Sequence, residues 1–353
     1  MKRKLKEEIR FIAVGAAGAN VCQMLERQGY KAFYINLAQQ DLDAINSPNK
    51  LHIKNGEGAS KDRMKAKEVL AESVDEVIEV IDNQITEDYI WVVFSLGGGS
   101  GSGTGVDLAT IIAENPDKKV GLVVILPSMK ESLQARINAY EALAEIIKAK
   151  NDLCSIFILD NNQREDKLQI NRSFATLFDS FIKVGDYTSI HGVLDTSEQK
   201  KLLETPGVAM IHKSTQDSKA SMLASINTGI YTPLEPNKKV QYIGLSQSEE
   251  KPLELAAVTT TVGEPIDSFL GYGNTETVLF LAGLSFPKTY IDRLKESIQS
   301  EQERVEQLLD DEEPEMDLGI NFLAKKKEAK AARIEPEKKM TARERLLASR
   351  NKR

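Results

Sequence analysis

The chain has 353 residues, of which 41% are hydrophobic and 28% charged, and its formal net charge at pH 7 is −7. That length is enough for two packed domains, or for one large domain with an appended tail. No apolar run reaches the roughly 18–20 residues that span a bilayer, which excludes a membrane span. The basic N-terminus runs straight into Glu7 and Glu8 without an apolar core, which excludes a secretory signal. We therefore expect a cytoplasmic protein without a membrane partner.

The first 160 residues alternate short apolar runs with amphipathic stretches. Strands are predicted over 11–14, 32–35, 89–94, 120–126 and 153–159, and helices over 20–28, 62–83, 106–113 and 133–148. Because these strands are apolar on both faces, the sequence predicts an α/β fold with a parallel sheet between helices. Ligands of such sheets bind outside the carboxyl ends of the strands, where this chain has small or polar residues.

The remainder of the chain falls into three parts. A long apolar helix is predicted over 168–187, sandwiched between layers. It is followed by a smaller α+β block with strands over 208–211, 240–245, 255–258 and 278–284 and helices over 219–227 and 288–309. From about residue 310 the composition is polar and charged, which predicts a flexible tail with room for a short helix over 341–349.

A glycine-rich segment follows the strand predicted over 89–94. It consists of Gly97, Gly98, Gly99, Ser100, Gly101, Ser102 and Gly103, and Thr104 comes next. Glycine lets backbone N–H groups turn toward an anion, and the start of the next helix adds positive dipole character. A strand leads in and a helix leads out, so the segment predicts a phosphate cradle with hydroxyl donors rather than a flexible linker.

A second turn of the same kind follows the first strand, at Gly15, Ala16, Ala17 and Gly18. Taken alone it is a weak signal. It lacks two glycines of the dinucleotide fingerprint, with Ala17 and Asn20 in their places, and the second strand ends at Asn36 rather than at an acidic residue. No GxxxxGK[ST] motif occurs, which excludes a P-loop protein.

Two phosphate-facing turns on one sheet, the glycine-rich one on a later strand, resemble the tubulin/FtsZ superfamily, whose signature is GGGTGTG or a close variant. The resemblance covers about residues 9–300 and is greatest to the TubZ filament GTPases of plasmids and phages. It implies a Rossmann-like GTPase domain over 1–165, a central helix over 166–190, a second α+β (activation) domain over 191–309, and a flexible tail over 310–353 that is acidic and then basic.

The resemblance also implies which residues contact GTP or GDP. Gly15, Ala16, Ala17 and Gly18 approach the α/β-phosphates, although the family usually has glycine at 16 and 17, and the segment from Gly97 to Gly103 holds the β/γ-phosphates. Asn36 belongs to a second nucleotide loop, and Gly58 and Ala59 belong to the loop that senses the γ-phosphate. Glu131 contacts the ribose, and Asn138 or Arg136 lies near the sugar and phosphates. Asn20 contacts the base, and guanine is read by Asn161, Asn162 or Asn171. Mg²⁺ is held mainly by the phosphates, with no protein metal site.

Asp195 and Glu198 are the predicted catalytic pair. In the resembled family, acidic residues after the central helix enter the nucleotide site of the next subunit and orient the attacking water. This chain has Gly192 or Val193 where the family often has an asparagine. The same two residues also fit a capping box at the start of a helix, and one loop-to-helix start can serve both roles.

Charge is segregated along the chain. Residues 325–353 carry twelve Lys or Arg against four Glu, a local net of +8, which leaves −15 on the first 324 residues. Such a tail suits an anionic partner, here a DNA-bound adaptor protein, or it merely solubilises the chain. Cys22 and Cys154 are expected to be reduced buried thiols, and the three histidines lack metal-ligand spacing.

The sequence therefore predicts a GTPase that polymerises head to tail into dynamic filaments and moves plasmid or phage DNA for partition. Three alternatives stay open. One is a phage tubulin that positions DNA without a centromere adaptor, another is a nucleotide-bound structural filament with little turnover, and the most distant is a dinucleotide oxidoreductase.

Overall fold

A ten-stranded sheet runs through the part of the chain that the computed structural model describes, namely residues 4–56, 58–215 and 219–311 together with Thr341, Arg343 and Leu347. The strands are β1 (Ile9–Val14), β2 (Lys31–Asn36), β3 (Lys50–His52), β4 (Tyr89–Ser95), β5 (Lys119–Leu126), β6 (Ser155–Asp160), β7 (Gly207–Thr215), β8 (Tyr242–Ser246), β9 (Asp267–Gly271) and β10 (Glu276–Leu284). Their order across the sheet is β3-β2-β1-β4-β5-β6-β7-β10-β8-β9.

Ten α-helices connect these strands within the described residues. They are α1 (Gly15–Arg27), α2 (Gln39–Asp43), α3 (Arg63–Gln84), α4 (Ser100–Ala113), α5 (Leu133–Ala149), α6 (Lys167–Ile182), α7 (Thr196–Glu204), α8 (Lys219–Ser225), α9 (Leu255–Val262) and α10 (Lys288–Asp311), with 3₁₀ turns at Leu5–Glu8 and Lys183–Asp186. Several start at a side-chain cap that the sequence supplies: Asp62 accepts a hydrogen bond from the backbone N–H of Lys65, and Ser132 accepts one from Ala135.

The predicted parallel sheet is confirmed. Strands β1 to β6 pair in parallel, and all of them except the half-buried β3 are almost entirely buried, as apolar runs covered on both faces require. The sheet continues past β6, because β7 pairs in parallel with it from Ser155 opposite Gly207 onward, and β10, β8 and β9 follow. The two predicted blocks thus share one sheet, and the domain boundaries at residues 165 and 190 stay predictions.

The central helix α6 packs on one face of the sheet, and Arg172 and Thr176 are exposed on its outer side, so it does not lie between two layers as predicted. The ring of Phe178 lies 5.3 Å from that of Phe11 on β1 and 5.5 Å from that of Trp91 on β4, centroid to centroid. Phe181 lies 4.3 Å from Phe280 on β10. Edge-to-face and tilted contacts of this kind add to the burial of the rings and fix the helix against both halves of the sheet. The α-helix ends at Ile182 and tightens into a 3₁₀ turn, instead of running to residue 187.

One predicted strand is wrong. Residues 255–258 begin helix α9, in which Val258 and Val262 are buried one turn apart while Thr260 between them is exposed. The apolar run is one face of a short helix, because buried residues four apart lie on the same side of a helix, whereas a strand would alternate them every second residue. The short strands β3 and β9 and the helix α2 were not predicted as elements, whereas α7 was expected only as the helix start at the capping box of Asp195 and Glu198. No helix among the described residues combines the length and apolarity needed to cross a membrane.

Candidate functional site

The two glycine turns lie side by side at the carboxyl edge of the sheet. Helix α1 begins at Gly15 itself, whose φ is +75°, and a Cβ there would lie 3.4 Å from the backbone nitrogen of Gly101. Helix α4 begins at Ser100, six residues before the predicted start. Because β1 and β4 are neighbours, the N-termini of α1 and α4 converge, and their unpaired N–H groups and dipoles create one region suited to anions.

Within the first turn the residues differ in exposure. Ala16 is exposed and Ala17 half-buried, so both can face a ligand. Gly18 is buried, and a Cβ there would lie 2.1 Å from the carbonyl oxygen of Val93. Gly18 therefore serves the close packing of α1 on β4.

In the glycine-rich segment most positions are packed. A Cβ on Gly99 would lie 2.7 Å from the Cβ of Ala59, whereas a Cβ on Gly98 would meet nothing within 4 Å. The hydroxyl of Ser102 is buried and donates to the carbonyl of Gly98, and that of Thr104 donates to Ser100 at 2.8 Å. The hydroxyls of Ser102 and Thr104 thus bond to backbone carbonyls of their own segment.

Asn138, predicted near the sugar and phosphates, fixes the loops from behind. It is 1% exposed, and its amide donates to the carbonyl oxygens of Lys61 at 2.8 Å, Gly98 at 3.0 Å and Gly97 at 3.4 Å. A buried amide with these partners holds the glycine-rich segment against the loop that precedes α3.

Sequence reasoning missed Arg63. This arginine is 4% exposed, and its guanidinium donates to the carbonyl of Ser102 at 3.0 and 3.2 Å. It also pairs with Glu141 at 2.8 Å and Glu145 at 2.7 Å on α5. The buried charge is compensated by two carboxylates while it fixes the first turn of α4. Arg63 follows a capping Asp62, but nothing in that local pattern indicates a partner 39 residues away.

The predicted γ-phosphate loop lies beside Gly99. Gly58 has φ +90°, and the next residues that turn the chain, Ser60 and Lys61, have φ of 44° and 64°. Residues other than glycine are uncommon in this left-handed region and concentrate at functional loops. Ala59 is 4% exposed and touches the space beside Gly99, so the loop borders the glycine-rich segment.

Asn36 does not point at the cleft. It is 2% exposed, donates to Asp41 at 2.9 Å and accepts from the N–H of Ala38 at 3.2 Å. Its amide stabilises the turn into α2. The Asn36 side chain is thus bonded within its own turn, and its place in a nucleotide loop stays a prediction.

The candidate base-reading asparagines separate by their hydrogen bonds. Asn162 accepts from the N–H of Met129 at 2.8 Å and donates to Asp160 at 2.6 Å, so its amide is committed to its own loop. The side chains of Asn20, Asn161 and Asn171 make no hydrogen bond to any described residue; Asn20 is exposed, Asn161 half-buried and Asn171 6% exposed. These three amides are the ones left to read a base.

Glu131 holds the turn after β5. Its Oε1 accepts from the N–H of Ser128 at 3.1 Å and from Lys167 Nζ at 2.7 Å, where α6 begins. The second carboxylate oxygen has no such contact among the described residues. Arg136, the alternative to Asn138, donates to Ser297 on α10 at 2.8 Å and so faces away from the glycine segments.

Asp195 and Glu198 form the capping box that the sequence allows. Asp195 Oδ1 accepts from the N–H of Glu198 at 2.9 Å, and Glu198 Oε2 accepts from the N–H of Asp195 at 3.0 Å. Partial burial raises the pKa of Glu198, and the nearby charges of Asp195 and Asp267 raise it further. Asp195 is exposed to solvent.

This pair lies at the opposite edge of the sheet from the glycine turns. Lys200 on α7 pairs at 2.6 Å with Glu8, directly before β1, whereas Gly15 directly follows β1. A six-residue strand spans about 20 Å. The structure therefore brings the glycine turns together at one edge and the two carboxylates together at the other, and does not join the two groups in one subunit.

Protein metal ligands and reactive cysteines do not add to the site. The described residues contain no cluster of three or more His, Cys, Asp or Glu that could hold a metal. Cys22 and Cys154 are free, and burial raises the pKa of Cys22 well above its ordinary value and that of Cys154 to about 12.

Comparison with known proteins agrees with this geometry. The model of the Tubulin/FtsZ family, GTPase domain, matches residues 8–168. The chain is 28% identical over 304 residues to the tubulin-like protein TubZ of Clostridium botulinum C phage, covering 84% of each chain, and 28% identical over 250 residues to cell division protein FtsZ 1 of Pyrococcus horikoshii, covering 65% of this chain and 64% of that one.

Solved structures give the same result. The crystal structure of Clostridium botulinum phage c-st TubZ superposes with a TM-score of 0.76 at 27% identity, over 85% of this chain and all of that one. GDP-form protofilaments of Bacillus thuringiensis serovar israelensis TubZ share the fold, with a TM-score of 0.72 at 18% identity over 87% of this chain and 94% of that one. The resemblance predicted from the sequence is confirmed.

Proposed function

Because residues 8–168 of this chain belong to the tubulin/FtsZ family as its GTPase domain, we propose that the protein polymerises head to tail and hydrolyses GTP only between two subunits. The observation that carries this proposal is the separation of the two groups of site residues. The glycine turns lie at the carboxyl edge of the sheet, and Asp195 and Glu198 lie at the other edge. One subunit cannot close such a site, whereas a second subunit stacked on the first brings the two edges together.

Exposed apolar residues beside the acidic pair support such a stacking contact. Ile190 is 95% exposed and Val193 39%, and both lie in the segment that leads to Asp195. Burying a side chain of that size contributes about 1.5–3 kcal/mol. The contact joins two different surfaces of identical subunits, so it does not close and gives a filament. TubZ of Bacillus thuringiensis, which shares the fold, is described as a protofilament and as a two-stranded filament.

In the nucleotide-bound subunit the backbone N–H groups at the starts of α1 and α4 hold the phosphates. The open space at Gly98 and the uncommitted hydroxyl of Ser100 face them. Mg²⁺ is held mainly by phosphate oxygens, because this ion prefers oxygen ligands and is usually bound through substrate phosphates and water. Asn161 or Asn171 reads guanine, with Asn20 as a further base contact.

Hydrolysis follows when a neighbour presents Asp195 and Glu198. Glu198, whose pKa is raised by partial burial, takes part in proton transfer, and Asp195 orients the water. Loss of the γ-phosphate then weakens the contact between subunits. Turnover coupled to assembly in this way gives dynamic rather than permanent filaments.

The cargo is plasmid or phage DNA in the cytoplasm, reached through residues 325–353. Their net charge of +8 suits a DNA-bound adaptor or the DNA itself. A chain ending at residue 324 should lose salt-sensitive binding to duplex DNA and to a cargo complex; unchanged binding would contradict this role. A phage tubulin that positions DNA without an adaptor has the same chemistry and would bind the duplex alone.

The proposal is tested by light scattering and phosphate release with GTP, GDP and a slowly hydrolysed GTP analogue. We expect assembly with GTP that decays as phosphate is released, persistent assembly with the analogue, and none with GDP. Equal assembly in all three, without phosphate release, would instead identify a nucleotide-bound structural filament. No assembly in any of them would contradict the head-to-tail proposal.

A further inference from the structure

Helices α3 and α4 form an acidic groove far from the nucleotide loops. Asp75, Glu79 and Asp82 follow one face of α3, and Glu114 lies at the end of α4. All four are exposed, and the apolar side chains between them are Ile78 and Ile111. We name this surface the α3–α4 groove.

The groove lies at the carboxyl ends of both helices. α3 and α4 precede β4 and β5, which are neighbouring parallel strands, so both helices end at the same edge of the sheet. The negative ends of their dipoles add to the four carboxylates and favour a cation there. The phosphate-facing turns lie at the starts of α1 and α4, so an occupant of the groove leaves the nucleotide region open.

A part of the C-terminal segment occupies this groove. The guanidinium of Arg343 pairs with the carboxylate of Asp75 and lines the groove. Four residues later, Leu347 is partly buried against the hydrophobic core. Positions i and i+4 of a helical turn share one face, so one face supplies both a cation and an apolar side chain. An acidic surface with two isoleucines matches that pair of side chains.

Because the segment is covalently linked to the rest of the chain, a weak contact is sufficient to keep it in the groove. Between the end of α10 at Asp311 and Thr341 the sequence has 29 residues. That length spans up to about 100 Å when extended, which is longer than needed to reach α3. A tethered segment meets its groove at an effective concentration in the millimolar range, so a single exposed ion pair and one leucine can hold it.

We propose that the α3–α4 groove is a docking site for the chain's own C-terminal segment around Arg343 and Leu347, and that the docked segment withholds part of the basic tail from anionic partners. The withholding of the basic tail rests on the proposed role of that tail, but the docking itself does not. The docking that we propose is intramolecular, as in the structure, where Arg343 contacts Asp75 of the same chain.

The test measures docking in the full-length chain by electron–electron double resonance between spin labels. The labels are placed at Asp117→Cys, exposed in the turn after α4 and outside the groove, and at Ala348→Cys in the tail. Cys22 and Cys154 are poor competitors for the label, since burial raises the pKa of both thiols. The wild-type background should give a short distance at low salt that is lost at high salt.

Charge variants then decide the proposal. Asp75→Arg or Arg343→Asp should each lower the docked-to-undocked ratio at least about 1.5- to 5-fold, the range of an exposed ion pair, and the double charge swap should restore it. Glu76→Arg is the matched control: it makes the same charge change at the next residue of α3, where the carboxylate pairs with Lys54 outside the groove, and should leave the ratio unchanged.

Two results would overturn the docking. One is a distance distribution that does not change in either Asp75→Arg or Arg343→Asp. The other is loss of the short distance when labelled chains are diluted into unlabelled ones, which would place the contact between copies. Titration with duplex DNA tests separately whether docking withholds the basic tail: DNA should displace the docked segment. If docking persists at saturating DNA the competition is wrong, and if no DNA binds the proposed role of the tail fails while the docking stands.

Discussion

Asp195→Asn separates capping from catalysis at the predicted catalytic pair. In the structure Asp195 Oδ1 accepts the N–H of Glu198 at 2.9 Å, and an asparagine oxygen can accept the same bond. Asparagine ranks with aspartate as an N-cap, so the folding free energy should change by less than about 0.5 kcal/mol. Asp195→Ala removes the acceptor and should cost about 1 kcal/mol, within a range of about 0.5–2 kcal/mol.

The effect on turnover should be large for both variants. Asp195 orients the attacking water for general-base catalysis, which contributes about 10²–10⁴ to a rate, and neither asparagine nor alanine carries its charge. Phosphate release is measured at concentrations where the variants pellet as polymer, and thermal unfolding is measured in parallel. We expect Asp195→Asn to unfold like the wild type yet release phosphate at least about a hundredfold more slowly. If Asp195→Asn retains wild-type turnover, the catalytic role is wrong and the capping box alone explains the pair.

A mixing experiment shows whether the carboxylate acts on the neighbouring subunit. Gly99→Ala forces a Cβ to within 2.7 Å of Ala59 and should close the nucleotide loop while leaving Asp195 intact. In an equimolar random filament with Asp195→Asn, about a quarter of the contacts pair an intact loop with an intact acid, so up to about a quarter of the wild-type rate should return. Two inactive variants that copellet and stay inactive would refute hydrolysis between subunits.

Three further variants probe the rest of the molecule. Gly98→Ala should unfold at the wild-type temperature, because its Cβ meets nothing within 4 Å, but should weaken GTP affinity in equilibrium binding. Gly99→Ala should lower both the unfolding temperature and the GTP affinity, and equal GTP affinity in Gly98→Ala and wild type would contradict a phosphate-facing Gly98. Asn138→Ala should cost about 1–3 kcal/mol in denaturant unfolding and weaken GTP binding, since three loop carbonyls lose their donor; unchanged stability would remove the proposed clamp. Burial lowers the pKa of His212 to about 4 from 6.5, so the unfolded chain binds the extra proton and stability should fall as pH drops through that interval; in His212→Phe this part of the decline should vanish, and an unchanged pH profile would refute it.

The sequence predicts local features well, because their cause lies within a few residues. The capping box is such a case: its two hydrogen bonds join positions three apart, and both formed as the residue types allow. The buried parallel strands are another, since an apolar run bounded by polar residues needs no distant information. Residues 255–258 mark the limit of that approach, because a four-residue apolar run fits a strand or one turn of a helix equally well.

Side-chain direction across the fold is what the sequence did not predict. Asn138 was expected beside the ligand, but its amide bonds Gly98, forty residues earlier in the chain. Arg63 was overlooked, although it fixes the first turn of α4. Both contacts depend on how α5 and α3 pack on α4, which is a result of the whole fold. The roles expected from the family resemblance describe positions around a nucleotide, while these two buried groups act one layer behind it.

Helix α6 provides the physical connection between the two separated halves of the site. Its first turns carry Asn171, and its last residues are held by Gln199 of α7, whose buried amide donates to the carbonyls of Phe181 at 2.7 Å and Ile182 at 3.2 Å. Sixteen helical residues span about 24 Å, so the helix bridges most of the distance between the sheet edges. Because α7 is bonded to the end of α6 and Asp195 caps α7, any nucleotide-dependent shift of α6 would move the acidic pair with it. A rigid connection of this kind would let the nucleotide state proposed at one edge change how the other edge meets the next subunit of the proposed filament.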